Sequence, residues 1–189
     1  MSEEPAGPFV FDTSAESWLV RADSADIQRW MVGYLERHPV YVSAVTVIER
    51  LTGYNLAIRR ATEEGRKRLL LSRRALYVGD PGRVLPVDIA VAATAAELLS
   101  LAPEPPSPPK RSHRAAESRS DRLARWRFDT VVAATALVNR MTLLHNNPED
   151  FEALRMAIEI EPERLPGMGP LNLLRCTRVG WAERRAAGR

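Results

Sequence analysis

Apolar and polar positions along the chain alternate in short blocks that predict strands interleaved with helices. Phe9-Val10-Phe11 is an apolar run of strong strand formers that stops at Asp12-Thr13-Ser14, residues suited to capping a helix. From about Ser24, helical spacing of Ile27, Trp30, Met31 and Tyr34 gives one apolar face. Val40-Tyr41-Val42 reads as a second strand, and Ser43 caps a helix bearing Val45, Ile48, Glu49 and Leu51. A long arginine-rich helical pattern runs from about Asn55 to Leu76, and the turn Gly79-Asp80-Pro81-Gly82 delivers a third strand at Val84-Leu85. Met141–Leu144 reads as the fourth strand, Asn147 opens a short helix, and Met156–Ile160 is the candidate for a fifth strand. Strands alternating with helices predict an α/β fold with a mostly parallel sheet and helices on both faces. Ligands of such sheets collect beyond the carboxyl ends of the strands, which is where chemistry is to be sought.

Two alanine-rich helical segments are near copies. Asp88-Ile89-Ala90-Val91-Ala92-Ala93-Thr94-Ala95 and Asp129-Thr130-Val131-Val132-Ala133-Ala134-Thr135-Ala136 share six of eight positions. Between them, Pro103–Lys110 holds five prolines in eight residues and cannot continue a helix. The segment at about 102–127 is therefore expected to be an exposed Pro/Arg-rich loop inserted in a domain spanning residues 1–160, with residues 161–189 as a C-terminal segment and basic tail.

Composition narrows the class. One cysteine, Cys176, excludes an internal disulfide framework and fits a reducing compartment. The longest uncharged apolar runs, Ile89–Ala96 and Val131–Val138, fall far short of the ~20 residues that span a bilayer. The acidic, polar start lacks the pattern of a secretory signal, so a soluble cytoplasmic protein with no membrane partner is expected. Lys and Arg total 27 against 24 acids, but most of the basic residues gather in two stretches, Arg59–Arg74 and Lys110–Arg127. In the first, Arg59/Arg60, Arg66/Lys67 and Arg73/Arg74 recur every seven residues, which on one continuous helix would line nearly one face with a slow ~20° drift. Such a stripe suits a phosphate backbone; Glu63 and Glu64 also pair with it at helical spacing, as on an ordinary solvated helix. In the second, Arg122 and Arg125 flank Trp126, which serves either to stack an RNA base or, as the favoured reading, to anchor the core.

Four carboxylates are placed to converge on one sheet edge. Asp12 follows the first strand, Glu49 lies in the early turns of the helix after the second, Asp129 is read as opening a helix, and Asp150 follows the fourth strand. None has a basic partner at an obvious helical spacing facing the site. Clustered carboxylates raise one another's pKa, and a hard divalent cation resolves the conflict with oxygen ligands while keeping several waters. Such an ion activates water and stabilises in-line displacement at a phosphodiester. Taken singly, Asp12, Asp129 and Asp150 are also ordinary helix N-caps; the set is what carries the chemistry.

These residues resemble the motifs of PIN-domain nucleases, particularly VapC-like toxins. Phe9-Val10-Phe11-Asp12-Thr13-Ser14-Ala15 is similar to their opening, and Ser43 to Gly53, with Glu49 four residues before the glycine, to their second motif. The segment from Asp129 is similar to the third, and Leu144 to Phe151, with Asn147 and Asp150-Phe151, to the last. The resemblance, over roughly residues 9–160, implies a three-layer α/β/α sandwich with four to five strands, and a Mg²⁺- or Mn²⁺-dependent endoribonuclease. It implies a homodimer too, and a toxin held inactive by a cognate antitoxin. It also assigns Asp12 and Asp129 as the most direct metal ligands, with Glu49 and Asp150 completing the charge and orienting water. Thr13, Ser14 and Asn147 would support the pocket by hydrogen bonding. His145 stands where the family has threonine; a structural or rim role is favoured over that of ligand or proton shuttle. Asp88 is set aside as an N-cap, because only Asp129 leads on to the strand and the Asn147–Asp150 motif. Arg59, Arg66, Arg73, Arg122 and Arg125 are the candidates for contact with RNA.

Other classes fail on their motifs. No glycine-rich turn follows the first strand, as dinucleotide binding requires. Ser14 stands where an aspartate-nucleophile phosphotransferase needs a second Asp, and His38, His113 and His145 lack a nucleophile motif. Two alternatives remain: an RNA-processing nuclease without an antitoxin, and a non-catalytic binding module that has kept the fold.

Overall fold

The computed structural model describes residues 7–21, 25–107 and 117–176. The expected helix start at Ser24, the basic residues from Lys110 to Arg114, His113 among them, and the tail beyond Cys176 lie outside the described residues. Five strands form one parallel sheet: β1 (Phe9–Phe11), β2 (Tyr41–Ser43), β3 (Arg83–Leu85), β4 (Thr142–His145) and β5 (Leu173–Arg175), in the order β3-β2-β1-β4-β5. Among the described residues, seven α-helices accompany them: α1 (Thr13–Arg21), α2 (Ala25–Leu35), α3 (Ala44–Arg60), α4 (Glu64–Gly79), α5 (Ile89–Leu101), α6 (Arg119–Val138) and α7 (Pro148–Ile160).

The side-chain alternation of the strands creates the two helix-covered faces. Phe9 and Phe11 point to one side, where they meet Ile27 and the stacked rings of Trp30 and Tyr34 from α2. Val10 and Leu143 point to the other, against Val91 and Leu98 of α5, Trp126 and Ala133 of α6, and Phe151 and Leu154 of α7. Burial of both faces explains why the central strand β1 reads as an unbroken apolar triplet. The three-layer α/β/α sandwich is the architecture expected from the sequence.

Five local expectations are corrected. Met156–Ile160 is the last part of α7, and the fifth strand is Leu173–Arg175, so the sheet draws on a stretch beyond residue 160. Met156-Ala157-Ile158-Glu159-Ile160 is too short to fix a period, and in the structure Ile158 continues the buried helical series of Phe151 and Leu154. The arginine-rich pattern is two helices, with the chain turning at Ala61–Glu63; Arg59 and Arg60 end α3, while Arg66, Lys67, Arg73 and Arg74 belong to α4. No single-helix stripe exists, and Arg74 instead bonds Asn55 Oδ1 of α3 at 2.9 Å across the hairpin. The expected loop to Arg127 is helical from Arg119, because Ser118 caps α6 by accepting from the Asp121 amide at 3.1 Å. As a result Asp129 lies in the second half of α6 and does not open a helix. Thr13–Arg21 also forms a helix of its own ahead of α2.

The turn into β3 needs its glycine. Gly82 has φ of +83°, and a Cβ there would stand 2.7 Å from the Val40 carbonyl oxygen, the same oxygen that accepts the Arg83 amide at 2.7 Å to start the β2–β3 ladder.

Candidate active site

Three of the acids arrive at the carboxyl edge of the central strands by different local routes. Asp12 is held beside β4 by its own amide, which donates to the Leu144 carbonyl at 3.0 Å. Its carboxylate accepts the Ala15 amide at 2.5 Å and the Ser14 hydroxyl at 2.7 and 3.0 Å, so it does cap α1. Ser14 in turn accepts the Asn146 amide at 3.2 Å, which ties the end of β1 to the end of β4. Glu49 comes from α3, whose start is fixed by Ser43 accepting the Val45 amide, and its carboxylate accepts the Thr13 hydroxyl. Asp150 sits in the first turn of α7, buried, with Pro148 opening the helix.

Asp129 reaches the same place from the interior of α6. Asn147 joins it to Asp150: its amide nitrogen Nδ2 donates to Asp129 Oδ2 at 3.0 Å and to Asp150 Oδ2 at 2.6 Å. A cleft of about 260 Å³ is lined by Asp12, Thr13, Ser14, Ser17, Glu49, Arg125, Asp129, Val132 and Asn147, with Asp150 immediately behind Asn147.

The electrostatics of the cleft are those of a crowded carboxylate cluster. Burial, opposed by the Ala15 and Ser14 hydrogen bonds and reinforced by Glu49, pushes Asp12 up to about 7. Burial raises Asp129 well above the carboxylate range, and the charges of Asp150, Asp12 and Glu49 raise it further. Burial also raises Glu49, against the Thr13 hydroxyl and the Arg125 charge. An arrangement that makes its own ionised form unfavourable suits an added cation.

Among the described residues, one basic group, Arg125, lines this cleft beside the acids. Arg125 lies four residues before Asp129 on α6, with Nε 3.9 Å from Asp150 Oδ2 and Nη1 2.6 Å from Glu117 Oε1. Its i,i+4 spacing to Asp129 acquires meaning only because α6 begins at Arg119, ten residues before Asp129. Ser17 is a second lining residue without a sequence signal of its own; it accepts from Arg50 Nη1 at 2.6 Å.

The other candidates fall elsewhere. His145 is fully buried at the end of β4, edge-on to Phe151 at 5.1 Å between ring centroids, and is not among the cleft-lining residues. Burial pushes its imidazole down to about 4, against the opposing effect of the Asn147 backbone. Trp126 is a core anchor with its Nε1 donating to the Ala102 carbonyl at 2.8 Å, which removes it from base stacking. Asp88 is exposed and caps α5 through the Val91 amide at 2.9 Å, far from a carboxylate cluster in role. Arg59, Arg66 and Arg73 are exposed on the α3–α4 hairpin, and Arg122 is half-buried on α6.

Among the described residues, no group of three Asp, Glu, His or Cys side chains is arranged to enclose an ion by itself. The donor set is all oxygen, and Mg²⁺ is commonly held by one or two carboxylates with water completing its shell. The cleft fits that mode: mutually repelling acids, space for water, and hydrogen bonds that already aim the carboxylates.

With this geometry in hand, comparison with known proteins gives a consistent result. The model of the PIN domain family matches residues 9–155, and the chain belongs to that family, whose members are typically nucleases. It is similar to the solved structure of FitAcB from Neisseria gonorrhoeae, with 25% identity and a TM-score of 0.50 over 78% of this chain and 93% of that one. VapBC2 from Rickettsia felis, bound to a DNA fragment from its promoter, is 11% identical with a TM-score of 0.53, over 88% of this chain and 97% of that one. FitAB bound to an IR36 DNA fragment is 23% identical with a TM-score of 0.54, over 89% and 95%. Comparison with curated protein sequences found no significant match. Among the described residues, no helix is long and apolar enough to cross a membrane.

Proposed function

We propose that this chain is a metal-dependent endoribonuclease, the toxin of a toxin–antitoxin pair. The observation that carries the reading is the convergence of Asp12, Glu49 and Asp129, from three separate elements, on one cleft at the carboxyl edge of the parallel sheet, with Asp150 of a fourth tied to Asp129 through Asn147. A non-catalytic module would gain nothing from keeping a cluster in which burial and mutual repulsion raise Asp12 and Asp129 so far. Membership of the PIN family supports a nuclease, and the likeness to the FitAB and VapBC structures supports an antitoxin partner.

In this reading Asp12 and Asp129 hold the ion most directly, and Glu49 and Asp150 complete the charge and orient the attacking water. A bound Mg²⁺ or Mn²⁺ supplies the activated water and the charge stabilisation for in-line displacement at phosphorus. The chain's own contribution is placement. Ser14 and the Ala15 amide fix the rotamer of Asp12, Thr13 holds Glu49, and Asn147 spaces Asp129 from Asp150. His145 joins the end of β4 to α7 through its edge-on contact with Phe151. Exposed Arg59, Arg66, Arg73 and the half-buried Arg122 supply positive surface on which an RNA backbone can settle with little sequence selectivity. The chain acts as a homodimer in the cytoplasm, and the antitoxin covers the cleft until it is removed.

The test is cleavage by the purified chain, freed of any antitoxin, of total cellular RNA and of single-stranded DNA, with Mg²⁺, with Mn²⁺ and with EDTA. Metal-dependent cutting of RNA that is lost in Asp129→Asn and kept in Asp88→Asn is expected. Cutting that survives both Asp12→Ala and Asp129→Asn would overturn the mechanism. Absence of cutting by folded protein would favour the binding-module alternative.

A further inference from the structure

We propose that Arg125 is a phosphate-binding residue of the cleft, held by Glu117 until the phosphodiester takes its guanidinium. The inference rests on the nuclease reading and adds to it the one basic residue that lines the cleft among the described residues. Arg125 leaves the same face of α6 as Asp129, one turn earlier, and lines the cleft with it. Its Nη1 bonds Glu117 Oε1 at 2.6 Å, whereas its Nε stands 3.9 Å from Asp150 Oδ2, beyond hydrogen-bond reach. That Nε is buried and has no hydrogen-bond partner among the described residues.

A buried donor without an acceptor is rare in folded proteins and asks for an explanation. A structural counter-ion of the acids would bond them directly, yet the acids are served by other donors: Thr13 for Glu49, Ser14 for Asp12, and Asn147 for Asp129 and Asp150. Arg125 thus lines the acid-walled cleft with its buried Nε still without an acceptor, and a guanidinium is the side chain whose planar fork matches the oxygens of a phosphate group once a small shift turns it from Glu117. The acids of the cleft are Asp12, Glu49 and Asp129, and this cation beside them offsets the repulsion that a phosphate entering there would meet. Glu117 lies on the side of Arg125 away from the carboxylate cluster in sequence, ahead of α6, and competes with the phosphate for the same guanidinium.

The experiment measures polarisation of a labelled short single-stranded RNA of mixed sequence, binding the full chain in the non-cutting Asp129→Asn background across a salt series. Thermal unfolding of each variant confirms the fold. Adding Arg125→Gln is expected to weaken binding roughly tenfold, the loss of one charge-assisted hydrogen-bonded contact. It is also expected to lower the slope of log K against log salt by about 0.7, the value for one phosphate contact on a single strand. Arg125→Lys keeps the slope and loses affinity, because it keeps the charge without the fork. Glu117→Gln binds as tightly as the parent or more tightly, since the competing carboxylate is gone. With Asp129 intact, Arg125→Gln raises KM. Unchanged affinity and slope in Arg125→Gln overturn the proposal, as does a loss in Glu117→Gln as large as that in Arg125→Gln, which would make the pair structural. If the wild-type chain cuts no RNA while the binding results hold, the nuclease reading fails and the phosphate contact stands. If it cuts and Arg125→Gln is unaffected, only the present inference fails.

Discussion

Replacing Asp12 by Asn should stabilise the metal-free protein while removing its response to divalent ions. Asp12 is 5% exposed, and its carboxyl is pushed from 3.8 to about 7, chiefly by burial. The folded chain therefore holds a proton that the unfolded chain releases, and the sign follows: stability falls as pH rises from about 4 to about 7. At about 1.4 kcal/mol per pKa unit, the ionised side chain costs the fold up to about 4 kcal/mol at pH above 7. Asn keeps one oxygen to accept the Ala15 amide, but its amide nitrogen replaces the second oxygen that accepts from Ser14, and loss of that acceptor costs about 1 kcal/mol. A net gain of roughly 2–3 kcal/mol is expected at about pH 8, or about 5–10 °C in Tm for a domain of this size. At about pH 4, close to the unfolded value, folded and unfolded chains differ little in the protonation of Asp12 and the gain should vanish. The assay is thermal unfolding followed by circular dichroism, in EDTA, at both pH values, followed by titration with Mg²⁺. Wild type should gain Tm with Mg²⁺ by mass action and Asp12→Asn should not. An Asn variant that is less stable than wild type at high pH, or displaced by the same amount at both pH values, would refute the claim that the cluster strains the fold.

Two further outcomes are expected. Asn147→Ala removes the donor shared by Asp129 and Asp150, and should cut kcat/KM by about 10–100-fold, as loss of a supporting contact at a metal site typically does, with the fold preserved by circular dichroism. His145, lowered from 6.5 to about 4, leaves the unfolded chain more protonated between those values, so its contribution to stability is lost as pH falls through that window. Urea unfolding of wild type and His145→Leu should therefore show their stability difference changing by up to about 3 kcal/mol between neutral and acid pH, and parallel pH profiles would exclude it.

The strands β1, β2 and β4 were legible because a strand buried on both faces has no alternation to disguise it, only a short apolar run bounded by cappers such as Asp12 and Ser43. β5 was not, since Leu173-Leu174-Arg175 is an edge strand with one buried residue and no flanking pattern. The break between α3 and α4 carries neither proline nor glycine at Ala61-Thr62-Glu63, so nothing local marks it; the cross-hairpin contacts of Arg74 with Asn55 and of Tyr77 with Tyr54 accompany it.

The chain's own order of residues determined which carboxylates follow which strands, and with them the class of fold and the set of acids, because capping and apolar runs are local properties. Tertiary structure alone decided that Asn147 bridges Asp129 and Asp150, that His145 turns to the core, and that Arg125 enters the cleft. Each depends on the angle at which α6 and α7 pack over the sheet, and that angle is set by residues such as Trp126, Leu98 and Phe151, which meet only once the chain has folded.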